Sequence, residues 1–311
     1  MKNLLLLSSF LFCSFIAKSQ TAEELSIMAE KKAELKDYQY AMVLIDKAIA
    51  LEPRNQWYYL EKAEIEFNLT GPREALKVVE SAILLDKTSS EPYNSAGRYY
   101  QSGGIADSAI IMFNLAIKYA KNDTIKNSYI MNRGVAKSSV RDYKGAVEDM
   151  EISLAFNPNS ISTLNNIAAC YNELGMKDKG IMALKKIITL NPKFIGTYVN
   201  LGFIYSATDS LDLAIDYFNK AHEIDPTDAI TLNNRGYVYY KKGDYKNALS
   251  DINLSIRLYP TNSYAYRNLA LVYIAMQKTS EACTALNYAR DYGFEARYGP
   301  EVSELLAKHC K

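Results

Sequence analysis

From residue 22 onward, small and large apolar positions recur among polar ones every 34 residues. Asn132-Arg133-Gly134 and Asn234-Arg235-Gly236 stand 102 residues apart, three such periods, as do Asp142-Tyr143-Lys144 and Asp244-Tyr245-Lys246. Tiling outward gives eight units, 22–55, 56–89, 90–123, 127–160, 161–194, 195–228, 229–262 and 263–296, with one insertion, Thr124-Ile125-Lys126. The eighth place holds Ala29, Ala63, Gly97, Gly134, Ala168, Gly202, Gly236 and Ala270. The twentieth holds Ala41, Ala75, Ala109, Ala146, Gly180, Ala214, Ala248 and Ala282. Large apolar residues fill the fourth place, as at Leu25, Tyr93 and Tyr198, and the twenty-fourth, as at Ile45, Phe113 and Phe218. Residues three or four apart share a helical face, so places 4, 8 and 11 form one stripe and 20, 24 and 27 another. The pattern predicts two helices per unit. Small residues let their backbones approach and large ones fill the surrounding space. Gly104, Gly175, Gly243 and the Asp-Tyr pairs mark the turn between them. Pro53, Pro158, Pro192, Pro226 and Pro260 close second helices, because proline disfavours helical geometry in the residue before it.

This pattern resembles the tetratricopeptide repeat across residues 22–296. The resemblance implies an all-α fold: a right-handed α-solenoid of tetratricopeptide helix-turn-helix repeats with a C-terminal capping helix over 297–311. Gly299-Pro300-Glu301 reads as the start of that helix, and Val302, Leu305, Leu306 and His309 follow at helical spacing. Some residues depart from the family pattern. Lys87 and Lys121 replace proline, and Lys62, Arg133 and Arg235 take the usually apolar seventh place. The insertion at 124–126 is either a joint between three-unit and five-unit segments or a lengthened helix or loop.

The first nineteen residues follow another pattern. Lys2 precedes an apolar stretch from Leu4 to Ala17, and small Ala17 and Ser19 fit a cleavage site before Gln20. The stretch is shorter than the ~20 residues a membrane span needs. Residues 1–19 are therefore expected to be a signal peptide, and the protein to be exported, periplasmic or secreted. Cys13 is a weaker candidate for lipid attachment, because bulky Phe12 precedes it. No other stretch is apolar enough to cross a membrane after cleavage. The whole chain carries 36 basic and 35 acidic residues. That balance argues against a surface built to grip nucleic acid.

Candidate chemistry is sparse. No phosphate-loop, GxGxxG, GxSxG, HExxH or CxxC motif occurs. The two histidines, His222 and His309, lie far apart, so no metal site, cofactor or enzyme activity is expected. Tyrosines such as Tyr171 and Tyr205 fall where the repeat needs size. The stronger candidate is a column at the sixth place: Asn132, Asn166, Asn200, Asn234 and Asn268. The family resemblance implies that this place faces a concave groove. An asparagine row there resembles the ladder by which some members hold an extended peptide, since an amide both donates and accepts hydrogen bonds. The alternative is that asparagine is simply common at this place. Phe203, Tyr237, Tyr240, Tyr264 and Arg267 extend the candidate surface. Glu23, Glu30, Glu61, Glu64 and Glu91, with Trp57 and Arg98, make the N-terminal end acidic. Those residues either favour a partner with a basic segment or form a solvated face. No unit has a lysine at the fifth place, which the family's carboxylate clamp requires. The tail resembles that of exported tetratricopeptide proteins closing with a paired cysteine. This implies a Cys283–Cys310 disulfide and a free Cys170; two free thiols are the alternative. The expected function is a non-catalytic scaffold that binds an extended peptide or protein segment in the groove. The alternative is a structural subunit of a cell-envelope assembly, held by its outer face.

Overall fold

A computed structural model describes residues 20–310. The expected signal peptide with Cys13, and Lys311, lie outside the described residues. Two compact units divide the chain between Tyr129 and Ile130. The first contains α1 (Ala22–Glu34), α2 (Tyr38–Leu51), α3 (Gln56–Thr70), α4 (Pro72–Leu85), α5 (Ser90–Ser102), α6 (Ala106–Tyr119) and the start of α7 (Asp123–Ser139). The second continues with α8 (Tyr143–Phe156), α9 (Ile161–Glu173), α10 (Lys177–Leu190), α11 (Ile195–Ala207) and α12 (Leu211–Ile224). It ends with α13 (Ala229–Lys241), α14 (Tyr245–Leu258), α15 (Ser263–Ala275), α16 (Thr279–Asp291), α17 (Phe294–Tyr298) and α18 (Glu301–His309). There is no strand among the described residues.

Local chemistry sets these helix ends. Thr21 and Glu24 form a reciprocal capping box at α1. Asn55, Asp142, Ser160, Asp228, Asp244 and Asn262 each accept a hydrogen bond from a first-turn backbone N–H. Between the helices of a pair, the chain turns through one residue in the left-handed region. That residue is Gly at 104, 175 and 243, but Lys36, Arg141, Asp209 and Gln277 adopt it too, with φ between 59° and 63°. The α4 helix ends without a proline at 87, because Asp86 Oδ1 accepts from Thr88 N at 2.8 Å and turns the chain.

The packing shows why the small places differ among themselves. A Cβ on Gly97 would sit 2.6 Å from the Phe113 ring, and one on Gly202 would sit 2.8 Å from the Phe218 ring. Both rings are buried, so neither can give way. Where the facing residue is the smaller Val79 or Leu184, alanine fits at Ala63 and Ala168.

The charged seventh-place residues have partners that keep them from being packing faults. Arg133 donates to both oxygens of Asp149, at 2.8 and 2.6 Å, and Lys137 lies 2.9 Å from the same carboxylate. Arg235 bonds both oxygens of Asp251, at 2.6 and 2.9 Å. Lys62 Nζ reaches Asp46 at 2.7 Å. A buried carboxylate needs such pairing.

The insertion at 124–126 lies in the first turn of α7, whose 17 residues make it the longest helix described. The tail departs from the single capping helix expected over 297–311. It is two helices, α17 and α18, separated at Gly299, where φ is 94°. Phe294 and Val302 bury themselves against Leu269, Leu286 and Ala289, each contributing about 1.5–3 kcal/mol. A disulfide joins Cys283 of α16 to Cys310 just past α18, with Cα atoms 5.7 Å apart. Cys170 is a buried free thiol.

Candidate binding cavities

Each unit has its own cavity. In the second unit, about 550 Å³ is enclosed mainly by side chains from α11, α13 and α15. Phe203, Ile230, Tyr237, Tyr264 and Tyr298 supply apolar and aromatic walls, and Asn233, Asn234 and Asn262 supply amides. Phe203 is 54% exposed, so one wall opens to solvent. The guanidinium of Arg267 lies 5.5 Å from the Tyr237 ring centre and 5.6 Å from that of Tyr264. Burial works against the Arg267 charge, but hydrogen bonds and the charge of Glu301 more than restore it, leaving its pKa raised. Burial also raises the Tyr264 hydroxyl, while Arg267 opposes that effect.

In the first unit, about 440 Å³ is lined by Trp57, Leu60 and Ile65 together with Glu30, Glu61, Glu64, Glu91 and Arg98. Trp57 is 64% exposed. Ser26 Oγ donates to Glu61 Oε2 at 2.5 Å, and Glu61 Oε1 is enclosed without a hydrogen-bond partner. Burial raises the Glu61 carboxyl above its ordinary value; the Ser26 bond opposes this and the nearby charge of Glu30 adds to it. Glu64 accepts from the Tyr99 hydroxyl at 2.9 Å and lies 3.5 Å from Arg98.

The sixth-place column does not face outward as one row. Asn200 Nδ2 donates to Asn165 at 2.8 Å, Asn268 Nδ2 donates to Asn233 at 3.0 Å, and Glu61 accepts from Ser26. In all three cases the sixth place reaches the fifth place of the preceding unit, 35 residues earlier. Asn268 is only 1% exposed and both ends of its amide are used internally, so it offers nothing to a groove. Arg267 likewise spends its donors on Glu301 and Asn268. Asn132 and Asn166 are half-buried and line neither cavity. Asn200 lines a smaller hollow of about 170 Å³ with Phe203. Tyr240 lies beside Tyr237 with its ring tilted, the ring centres 5.9 Å apart, outside the cavity lining. Of the expected contacts, Phe203, Asn234, Tyr237 and Tyr264 meet in the large cavity. Ile230, Asn233, Asn262, Lys241 and Tyr298 join them unanticipated. The fifth-place asparagine Asn233 was the available signal for part of this set.

Among the described residues no helix is long and apolar enough to cross a membrane, and no group of His, Cys, Asp or Glu could hold a metal ion. Residues 161–194 and 194–261 match the tetratricopeptide repeat family. Solved structures share the fold. A tetratricopeptide repeat protein from Parabacteroides merdae ATCC 43184 is 17% identical, with 93% of this chain and 99% of that one covered and a TM-score of 0.63. The APC/C hetero-tetramer Cut9-Hcn1 is 14% identical over 88% of this chain and 53% of that one, TM-score 0.64. A thermophilic repeat protein from Thermus thermophilus is 21% identical over 59% of this chain and 98% of that one, TM-score 0.52. No curated protein matches the chain. The chain thus carries tetratricopeptide repeats on an all-α fold of the kind found in those structures.

Proposed function

We propose that this chain is a non-catalytic protein-interaction scaffold that holds an extended peptide or protein segment on the face of its first helices. The observation that carries this reading is the large cavity itself. Aromatic walls at Phe203, Tyr237 and Tyr264 flank the amide of Asn234. An extended segment needs apolar seats for its side chains and polar groups for its backbone, and a pre-formed surface lowers the ordering cost of binding. The acidic cavity of the first unit supports a partner that also carries a basic segment. Nucleic acid is not the partner on this reading, because basic and acidic residues balance. The sequence at residues 1–19 supports export to the periplasm or beyond.

A display library of extended peptides tests the proposal. Selected peptides should bind the full chain and lose about tenfold in affinity, or about 1.4 kcal/mol, with Asn234→Ala or Tyr237→Ala. Circular dichroism should show an unchanged helical signal. Equal binding by the variants and the parent would sink the groove reading. A second reading, assembly through the outer face, is favoured by exposed apolar side chains on second helices, including Val43, Ile111 and Met182. Substituting those three with Ser would abolish capture only in that case.

A further inference from the structure

The amides of the large cavity are the end of a directional hydrogen-bond chain that starts at Arg267 of α15, whose guanidinium Glu301 of α18 holds. Arg267 Nε donates to Glu301 Oε2 at 3.0 Å, and Nη2 donates to Glu301 Oε1. Arg267 Nη1 donates to Asn268 Oδ1 at 2.9 Å. Asn268 Nδ2 then donates to Asn233 Oδ1 at 3.0 Å, and Asn233 Nδ2 donates to Asn234 Oδ1 at 3.5 Å. An amide can normally be turned either way, and its orientation follows from its partners. Here the first partner removes the choice. A guanidinium has donors and no acceptor, so Asn268 must turn its oxygen toward Arg267 and its NH2 toward Asn233. Asn233 must answer with its oxygen and pass its NH2 onward. Asn234 receives that donor on Oδ1, and its own Nδ2 makes no hydrogen bond among the described residues.

We propose that Glu301 and Arg267 are positioning residues that set the hydrogen-bond polarity of this cavity, so that Asn234 offers donors to a ligand's acceptor. The occupant is a main-chain carbonyl of an extended segment, its side chains seated against Tyr237 and Tyr264. This rests on the scaffold reading for the identity of the segment, while the polarity rests on the relay alone. Glu301 accepts from Arg267 and is not itself a lining residue of the cavity, and the Cys283–Cys310 bond ties the end of α18 to α16. The helix beyond the last pair therefore selects what the cavity can bind.

The test uses the full chain and two probes followed by the Asn234 side-chain amide signal in NMR. The first is N-acetylphenylalanine methylamide. The second is its analogue methylated on both amide nitrogens, which keeps the carbonyls and has no N–H. Both probes should bind, within about threefold of each other. Asn234→Asp, which replaces the donor by an acceptor of the same shape, should weaken both by tenfold or more, read from the ring signals of the probes. Arg267→Met should release the amide orientation and weaken binding about tenfold, whereas Arg267→Lys, still donor-only, should stay within about threefold of the parent. The Asn234→Asp change lies at the receiving end of the relay, so it remains informative if Arg267→Met fails to fold. Loss of binding on methylation, undiminished binding by Asn234→Asp, or no binding of either probe would overturn the acceptor seat. Probe binding without any captured peptide in the library screen would instead sink the scaffold reading and leave the seat standing.

Discussion

Glu61 shows how one side chain ties stability to recognition. Its Oε1 is enclosed with no hydrogen-bond partner, and burial holds its carboxyl above the ordinary value. A carboxyl raised in the folded state favours folding fully only below its unfolded pKa, about 4.3, and that contribution is lost as pH rises through the folded value. At pH 7 the ionised group is therefore a burden on the fold. Glu61→Gln keeps an oxygen for Ser26 and removes the charge. The variant should melt roughly 1–3 °C higher at pH 7, and the difference should vanish near pH 4. An unchanged or lower melting temperature at pH 7 would refute the argument. Glu61 was legible in the sequence as an acidic surface residue, but its isolation was not. The 34-residue period groups residues of like environment, whereas contact between neighbouring units joins unlike places, the sixth with the fifth. The same offset hides the pairing of Asn268 with Asn233 and turns an expected ladder into a relay.

At the scale of elements, the turns carry the most information about what a repeat sequence leaves unoptimised. The turn residue is left-handed whether it is glycine, as at 243, or not, as at Arg141 and Gln277. A left-handed residue with a Cβ costs roughly 1–2 kcal/mol, and glycine's greater freedom in the unfolded chain returns part of the gain. Arg141 makes no side-chain ion pair among the described residues, and Gln277 is uncharged. Arg141→Gly and Gln277→Gly should each stabilise the protein by about 0.5–1 kcal/mol, read as a higher urea midpoint with an unchanged slope. A lower midpoint would show that the turn geometry is set by the side chain. Helix existence was legible because small and large residues recur at helical spacing. The division of the tail into α17 and α18 was less so. Gly299 takes a positive φ there, and the preceding Phe294 turns inward to the core, which only the packing of α15 and α16 decides.

At the scale of the whole molecule, a formal charge of +1 conceals two cavities of opposite character. The cavity of the first unit is ringed by four glutamates, with Arg98 offsetting one of them. The lining of the second unit's cavity holds one charged residue, Lys241, and Asp209 pairs with it. The two should therefore respond differently to salt. Screening shortens the reach of exposed charges from about 10 Å at 0.1 M to about 3 Å at 1 M, while apolar burial is little affected. Capture of a lysine-rich peptide by the first unit should weaken roughly tenfold between 0.1 and 1 M sodium chloride. Glu64→Gln, which strips one exposed charge, should flatten that dependence. Binding of an uncharged aromatic peptide by the second unit should change by less than about twofold, because the groups it meets are amides and rings. Fluorescence of Trp57, the single tryptophan of the chain, reports the first event without the second. Salt-insensitive capture of the lysine-rich peptide would mean that the glutamates are a solvated face, and that the partner's basic segment has no seat there.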